Sequence, residues 1–339
     1  MKITRMGIDL GKSAFHVHAV DRSGGVVVEK RLTRRGLARF IEELEPCLIG
    51  LEACGGAHHW ARRLRGMGHD ARLMSPQFVK AYVKSNKNDF RDAEAICEAV
   101  SRPSMRFVPV KSVEQQDVQH LHRIRSQAVA HRTALVNQVR GILLEYGITI
   151  GKGIGQVRRR LPEVLEDADN GLSGSMRALL AELGEEIRHL DERVGRFDAR
   201  IVEISRATPA CRRLERIPGV GPVTSTALTA AVGDGSEFGN GRELAAWVGV
   251  VPRQRSTGGR AVLLGISKRG DQYLRSLFIH GARAALRTAA RREDRRSRWA
   301  LEVQHRRGTN VASVALANKN LRTAWALLTQ EVEYDATAA

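Results

Sequence analysis

The sequence predicts an α/β domain at the N-terminus followed by two helical regions, and three observations carry that reading. Short apolar or alternating runs interleave with amphipathic ones over residues 3 to 110. Glycines then become few and long apolar periodicity takes over from 113 to 206. Residues 209 to 332 read as mostly helical, ending in helices rich in Ala and Arg. The expected division is an α/β domain over 1–110, a coiled-coil and oligomerisation region over 111–207 and a third unit over 208–339.

Taken in order, "ITRMGIDL", "AFHVHAV" and "VVVEKRL" predict three successive strands, with a turn at Ser23-Gly24-Gly25. A helix near 34–45, the strand "CLIGLEA", a helix around 58–66, a strand near "DARLMS" and further helix complete the unit. In the middle region Met176, Leu180, Leu183, Ile187, Leu190, Val194, Phe197, Ile201 and Ile204 recur at steps of four and three, a heptad seam. Leu121, Ile124, Ala128, Leu135, Val139 and Ile142 have compatible spacing, and the Gly- and Pro-containing stretch 147–174 lets the chain turn back into an antiparallel coiled coil.

The chain has 339 residues, 42% of them hydrophobic, which is ordinary for a folded protein of two or three domains. Lys and Arg number 55 against 37 Asp and Glu, a formal charge of +18. Residues 253–307 alone hold fifteen basic side chains and four acidic ones, mostly arginines that grip phosphate with two donors at once. A polyanionic partner is the first expectation. No apolar run approaches the ~20 residues of a membrane span, and "MKITRMGIDL" lacks a signal-peptide core, so a cytoplasmic, nucleoid-associated protein without membrane partners is expected. Cys47, Cys54, Cys97 and Cys211 form no C-x-x-C pair and signal neither zinc nor a disulfide framework.

Four carboxylates stand out in so basic a chain. Asp9 ends the first strand and Glu52 ends "CLIGLEA", where open α/β sheets usually place their sites. Asp89 and Asp92, three apart in "KNDFRDAEAI", share one helix face. Each alone reads as a cap, an ion-pair partner or a favourable helix start. Together, in the order three strands, helix, strand, helix, strand, helix, they match the ribonuclease H-like layout, and oxygen ligands from three elements suit one or two Mg²⁺ ions. "GIDLGKS" also resembles the phosphate loop of actin-like ATPases, but that fold carries a second such loop in a duplicated half, and here the α/β pattern stops near 110.

Farther on, "IPGVGPVTSTAL" resembles a helix-hairpin-helix, in which Gly219 and Gly221 let backbone N–H groups approach a phosphate. "VPRQRSTGGR" sets Ser256 in a glycine-bearing loop among Arg253, Arg255 and Arg260, with Lys268, Arg269 and Arg275 downstream. A serine there reads first as a turn residue. Arginines do not activate a serine toward carbonyls, but they do stabilise charge on a phosphoryl centre.

With these blocks in the order "GIDLGKSAFHVHAVD", "LEACGGAHHWARRL", "KNDFRDAEAI", "PGVGPVTSTAL" and "RQRSTGGRAVLLGISKRGDQYLR", essentially the whole chain resembles transposases of the insertion-sequence one-ten family, relatives of the Piv invertase. The resemblance implies a RuvC-like domain with a DEDD tetrad, here Asp9, Glu52, Asp89 and Asp92, and a C-terminal transposase domain with a catalytic serine, here Ser256. It implies Mg²⁺ at the carboxylates, a 5′-phosphoserine link to DNA, a structured "bridge" RNA pairing with donor and target DNA, and dimers assembling into a tetramer in which one subunit completes another's serine site. Many members read Ser-Gly at the serine whereas this chain reads Ser-Thr-Gly-Gly, leaving Thr257, and less so Ser267, as competitors. An RNA-guided DNA recombinase that needs no ATP is the expected function. The alternatives are a RuvC-like metal-dependent nuclease without covalent intermediate and a non-enzymatic nucleic-acid-binding scaffold.

Overall fold

The computed structural model describes residues 2–84 and 88–335. The chain divides into two compact units, Met1–Val113 and Glu114–Ala339. The first is a mixed α/β unit and the second is largely helical.

The first unit holds β1 (Arg5–Leu10), β2 (Ala14–Val20), β3 (Val26–Thr33), α1 (Arg34–Glu42), β4 (Leu48–Glu52), α2 (Ala57–Gly66), β5 (Asp70–Met74), α3 (Pro76–Val79), α4 (Asp89–Val100) and β6 (Phe107–Val108). The strands form one sheet in the order β3-β2-β1-β4-β5-β6. β1 runs parallel to β4 and β4 to β5, while β2, β3 and β6 are antiparallel to their neighbours.

Alternation along the strands decides what each face of this sheet carries. Met6, Ile8, Phe15, Val17, Ile49 and Leu51 share a core with Leu37 and Ile41 of α1 and Trp60 and Leu64 of α2. The intervening residues, Gly7, Asp9, His16, Gly50 and Glu52, therefore face the other way, toward α4. That helix lies close because at Gly7 and Gly50 nothing larger than hydrogen stands beneath it. A Cβ at Gly7 would meet the Ala93 carbonyl oxygen at 2.2 Å and the Cys97 nitrogen at 2.4 Å, and one at Gly50 would meet Val100 at 2.8 Å. Gly7→Ala forces backbone apart from backbone, and we expect it to destabilise the first unit by ~3 kcal/mol. Thermal unfolding of the purified variant checks this, and an unshifted transition would contradict it.

The second unit contains α5 (Val113–Glu145), α6 (Ile154–Glu166), α7 (Gly174–Ala207), α8 (Pro209–Leu214), α9 (Pro222–Val232), α10 (Gly241–Val248), the hairpin strands β7 (Pro252–Thr257) and β8 (Arg260–Ile266), α11 (Gln272–Thr288) and α12 (Arg295–Thr329), interrupted at Gly308. Arg125 pairs with Asp198, and Arg132 with Asp191 at 2.8 Å, so positions rise along α5 as they fall along α7 and the two helices run antiparallel. The predicted seam supplies Leu180, Ile187, Leu190 and Val194 to a core with Leu135, Val136, Val139 and Leu143 of α5. The stretch 147–174 is more than the turn expected: α6 lies inside it and adds Val157, Leu161 and Val164 to that core. Arg158 of α6 also reaches Asp191 at 2.5 Å. Burial would raise the Asp191 carboxyl, but hydrogen bonds from Arg158 and Arg132 outweigh it and hold the group below its ordinary value.

His122 ties α5 to the C-terminal helices. Thr226 Oγ1 donates to the Pro222 carbonyl at 2.6 Å, so it accepts from His122 Nε2 at 3.0 Å, and Nδ1 is left to accept from the Tyr273 hydroxyl at 3.0 Å. Burial, with Arg125 nearby, lowers this histidine to about 4. The unfolded chain therefore binds a proton that the folded one refuses. The stability this contributes is complete above the ordinary value of 6.5 and falls away as pH drops toward about 4. The loss should reach roughly 3 kcal/mol, and urea titrations across that window should show His122→Gln with a flatter pH dependence than wild type.

Candidate active site

β1 and β4 are adjacent and parallel, and pairing of Ile8 with Leu51 brings the next residues of each strand, Asp9 and Glu52, side by side at the strands' carboxyl ends. Asn88 caps α4 by accepting from the Phe90 nitrogen at 3.0 Å, which leaves Asp89 and Asp92 in the first turn of that helix. All four carboxylates line one cleft of about 360 Å³, together with Pro76, Val79, Lys80 and Val83. The Cys54 thiol just beyond β4 is pushed up, first by desolvation and then by the charges of Glu52 and Asp9.

Two residues at this site were not singled out by the sequence. His16 of β2 pairs in register with Asp9 and is 7% exposed. Its Nδ1 lies 3.7 Å from Asp89 and 4.0 Å from Asp9 and makes no hydrogen bond. The signal was available: a hairpin turning at residues 11–13 sets position 16 across from position 9. Lys80, in a short 3₁₀ turn after α3, brings the cleft a cation, and only the fold brings it there.

The donor set is four carboxylates from three elements, all oxygen, which suits a hard divalent cation. Among the described residues, no group of three or more His, Cys, Asp or Glu is placed closely enough to hold an ion. The fit rests on donor chemistry and on convergence at one cleft.

Ser256 lies in the second unit, within a strand rather than a loop. β7 and β8 pair as a two-stranded ribbon whose turn is Gly258-Gly259, both at positive φ (57° and 77°), as a tight two-residue hairpin requires. Ser256 shares its face with Gln254, Ala261 and Leu263, whereas Arg255, Thr257 and Arg260 alternate to the other face and Arg253 falls at an irregularity in the register. Gln254 Nε2 donates to Ser256 Oγ at 2.7 Å. The ribbon is exposed nearly throughout, Leu263 by 67%.

The segment after β8 packs on the end of α10. Lys268, at φ 54°, donates its N–H to the Gly249 carbonyl at 3.1 Å, and a Cβ on Gly249 would meet the Arg269 carbonyl oxygen at 2.0 Å. Ser267 Oγ accepts from the Arg269 nitrogen at 3.5 Å. Arg275 turns toward the backbone, donating to the carbonyls of Val248 at 3.0 Å and Arg269 at 3.2 Å. In the turn before α9, Gly219 at φ 91° is closed by Gly281 of α11, whose carbonyl oxygen a Cβ would meet at 2.4 Å, whereas Gly221 opens onto free space. The two glycines thus differ: one serves packing, the other faces outward at the start of α9.

Comparison with known proteins gives the class first. Residues 6–148 match the family model of the DEDD transposase domain, described as a transposase, and residues 211–298 match the model of the transposase family IS116/IS110/IS902. The chain belongs to this IS110/IS116/IS902 family of insertion-sequence transposases, enzymes that cleave and rejoin DNA. It is 50% identical to a probable family 20 transposase of Pseudomonas aeruginosa over 98% of this chain and 99% of that protein. It is 46% identical to the transposase for IS1111A of Coxiella burnetii (97% and 90% covered) and 40% identical to that for IS1328 of Yersinia enterocolitica (97% and 97%). DNA is therefore the partner, and the DEDD domain points to use of a divalent metal. Among the described residues no helix is long and apolar enough to cross a membrane.

Proposed function

We propose that this transposase is a guide-RNA-dependent recombinase that moves its element through a covalent 5′-phosphoserine intermediate, with Asp9, Glu52, Asp89 and Asp92 holding one or two Mg²⁺ ions in a RuvC-like, ribonuclease H-type domain. The observation that carries this reading is the meeting of those four carboxylates, in that chain order, around one cleft. The sheet order β3-β2-β1-β4-β5, with β1, β4 and β5 parallel, supports the fold assignment. Mg²⁺ bound there would neutralise charge building on the phosphate.

The serine chemistry balances without ATP. Ser256 Oγ loses its proton and forms a bond to phosphorus, the bond from phosphorus to the 3′-oxygen breaks, and that oxygen leaves and is protonated to a 3′-hydroxyl. Attack by another 3′-hydroxyl reverses these steps and rejoins the strand, because the phosphoserine ester conserves the bond. Lys268, Arg269, Arg253, Arg255 and Arg260 hold phosphate. Gly221 offers backbone at the start of the helix-hairpin-helix-like α9, while Gly219 and Arg275 shape the surface indirectly through the packing described above. Subunits assemble as dimers and then a tetramer.

The test is an adduct assay with end-labelled donor and target DNA, Mg²⁺ and RNA transcribed from the element. Labelled DNA joined to wild-type protein but not to Ser256→Ala is expected. Hydrolysed ends with no adduct would instead mean a metal-dependent nuclease. Protein isolated from cells carrying the element should bring down one discrete RNA, and full activity without any RNA would overturn the guided mechanism.

A further inference from the structure

An arginine pocket lies at the end of the short helix α8, which carries Arg212 and Arg213, with Arg216 just beyond it. Arg212, Arg213 and Arg216 line a recess of about 290 Å³ with Pro209 and Glu333. Glu215, between them in sequence, does not neutralise the recess, because it is turned inward to accept the hydroxyls of Ser205 and Ser225. Arg213 Nε is buried without a hydrogen-bond partner, and its guanidinium stands 3.9 Å from Glu331, a carboxylate 80% exposed.

The acids at this recess, Glu331 and Glu333, come from the segment that follows α12. Residues 331–335, "EVEYD", hold three carboxylates in a protein of charge +18. The segment is held in place: the Tyr334 hydroxyl accepts from Arg296 Nη1 at 3.3 Å, and Arg296 is 2% exposed. Glu331 leaves α12 at φ 52°, a region that residues with a Cβ rarely occupy, and so turns the chain back.

We propose that the Arg212–Arg213–Arg216 pocket binds a backbone phosphate of DNA, and that the acidic segment 331–335 occupies it in the free protein as an internal stand-in for that phosphate. Guanidinium groups match phosphate with paired donors, whereas a distant, water-exposed carboxylate is a weak and displaceable partner. A strap that must be displaced lowers affinity for all DNA alike. Weak, non-specific complexes can least tolerate that loss, so the strap keeps a strongly basic protein from coating arbitrary duplex. The inference rests on DNA being the partner, not on the serine or guide-RNA mechanism.

The experiment measures binding of a labelled duplex unrelated to the element, by fluorescence anisotropy, without Mg²⁺ or RNA. Glu331→Gln with Glu333→Gln, which keeps the Tyr334 anchor, should tighten binding roughly three- to tenfold at low salt. Arg212→Ala with Arg216→Ala, which spares the half-buried Arg213, should weaken binding and make the plot of log affinity against log salt shallower by about 1 to 2. In the fourfold variant the glutamine substitutions should give no gain. The proposal is overturned by no gain in the first variant, by a gain that persists without the arginines, by an unchanged salt slope, or by a gain for RNA of equal length but not for DNA. Strand cleavage by the same variants is a separate readout, so failure here leaves the recombinase reading standing.

Discussion

Asp9→Asn and Asp92→Asn will each lower strand cleavage by about a thousandfold or more, while non-specific DNA binding stays within about twofold of wild type. Both side chains line the acidic cleft, and the amide keeps their shape while removing charge. A structural role makes the opposite forecast. If the carboxylates serve as ligands, neutralising one leaves the metal-free protein within about 1 kcal/mol of wild type, the loss at Asp92 being its interaction with the start of α4. Mg²⁺ should then raise the unfolding temperature of wild type more than that of either variant, because only the folded cleft gathers the ligands. Full cleavage by Asp92→Asn, or equal stabilisation of all three proteins by Mg²⁺, would sink the metal-site assignment.

Much of this cleft is legible in the sequence because period-two alternation is a strong local signal. Runs such as "RMGIDL" and "LIGLE" put large apolar residues on one side and Gly, Asp or Glu on the other, so strand ends and outward carboxylates follow directly. The order of elements in the first unit is recovered for the same reason. What escapes is set by tertiary packing. β6 is two residues long and has no period to detect. α6 hides in a stretch whose glycines and proline read as turn, and only its contacts with α5 and α7 explain it. Gly219 looks like a residue freed for a ligand, yet it is needed because Gly281, some sixty positions later, closes on it. In "RQRSTGGR" the glycines were visible, but whether they made a loop or a hairpin turn depended on "AVLLGI" pairing back across them. That pairing alone moves Ser256 off the turn and sends Arg255 and Arg260 to the opposite face.

Ser256→Ala will abolish covalent joining of protein to DNA, with a loss of recombination of roughly ten-thousandfold or more, and will leave thermal unfolding unchanged. The second half follows from burial: the ribbon carrying Ser256 is exposed throughout β7 and nearly all of β8, so a lost hydroxyl disturbs no core. Thr257→Val should keep the adduct, since Thr257 alternates to the other face, and Ser267→Ala should keep it too, since that hydroxyl caps the turn to Arg269. An adduct surviving in Ser256→Ala would place the nucleophile elsewhere. An isolated two-stranded ribbon is marginal in water, and Val262, Leu263 and Leu264 lie exposed along this one. Gln254 donates to Oγ and so cannot take its proton, which leaves the O–H free to point away from the ribbon. In the proposed mechanism the proton of Ser256 would therefore go to a group other than the Gln254 amide nitrogen.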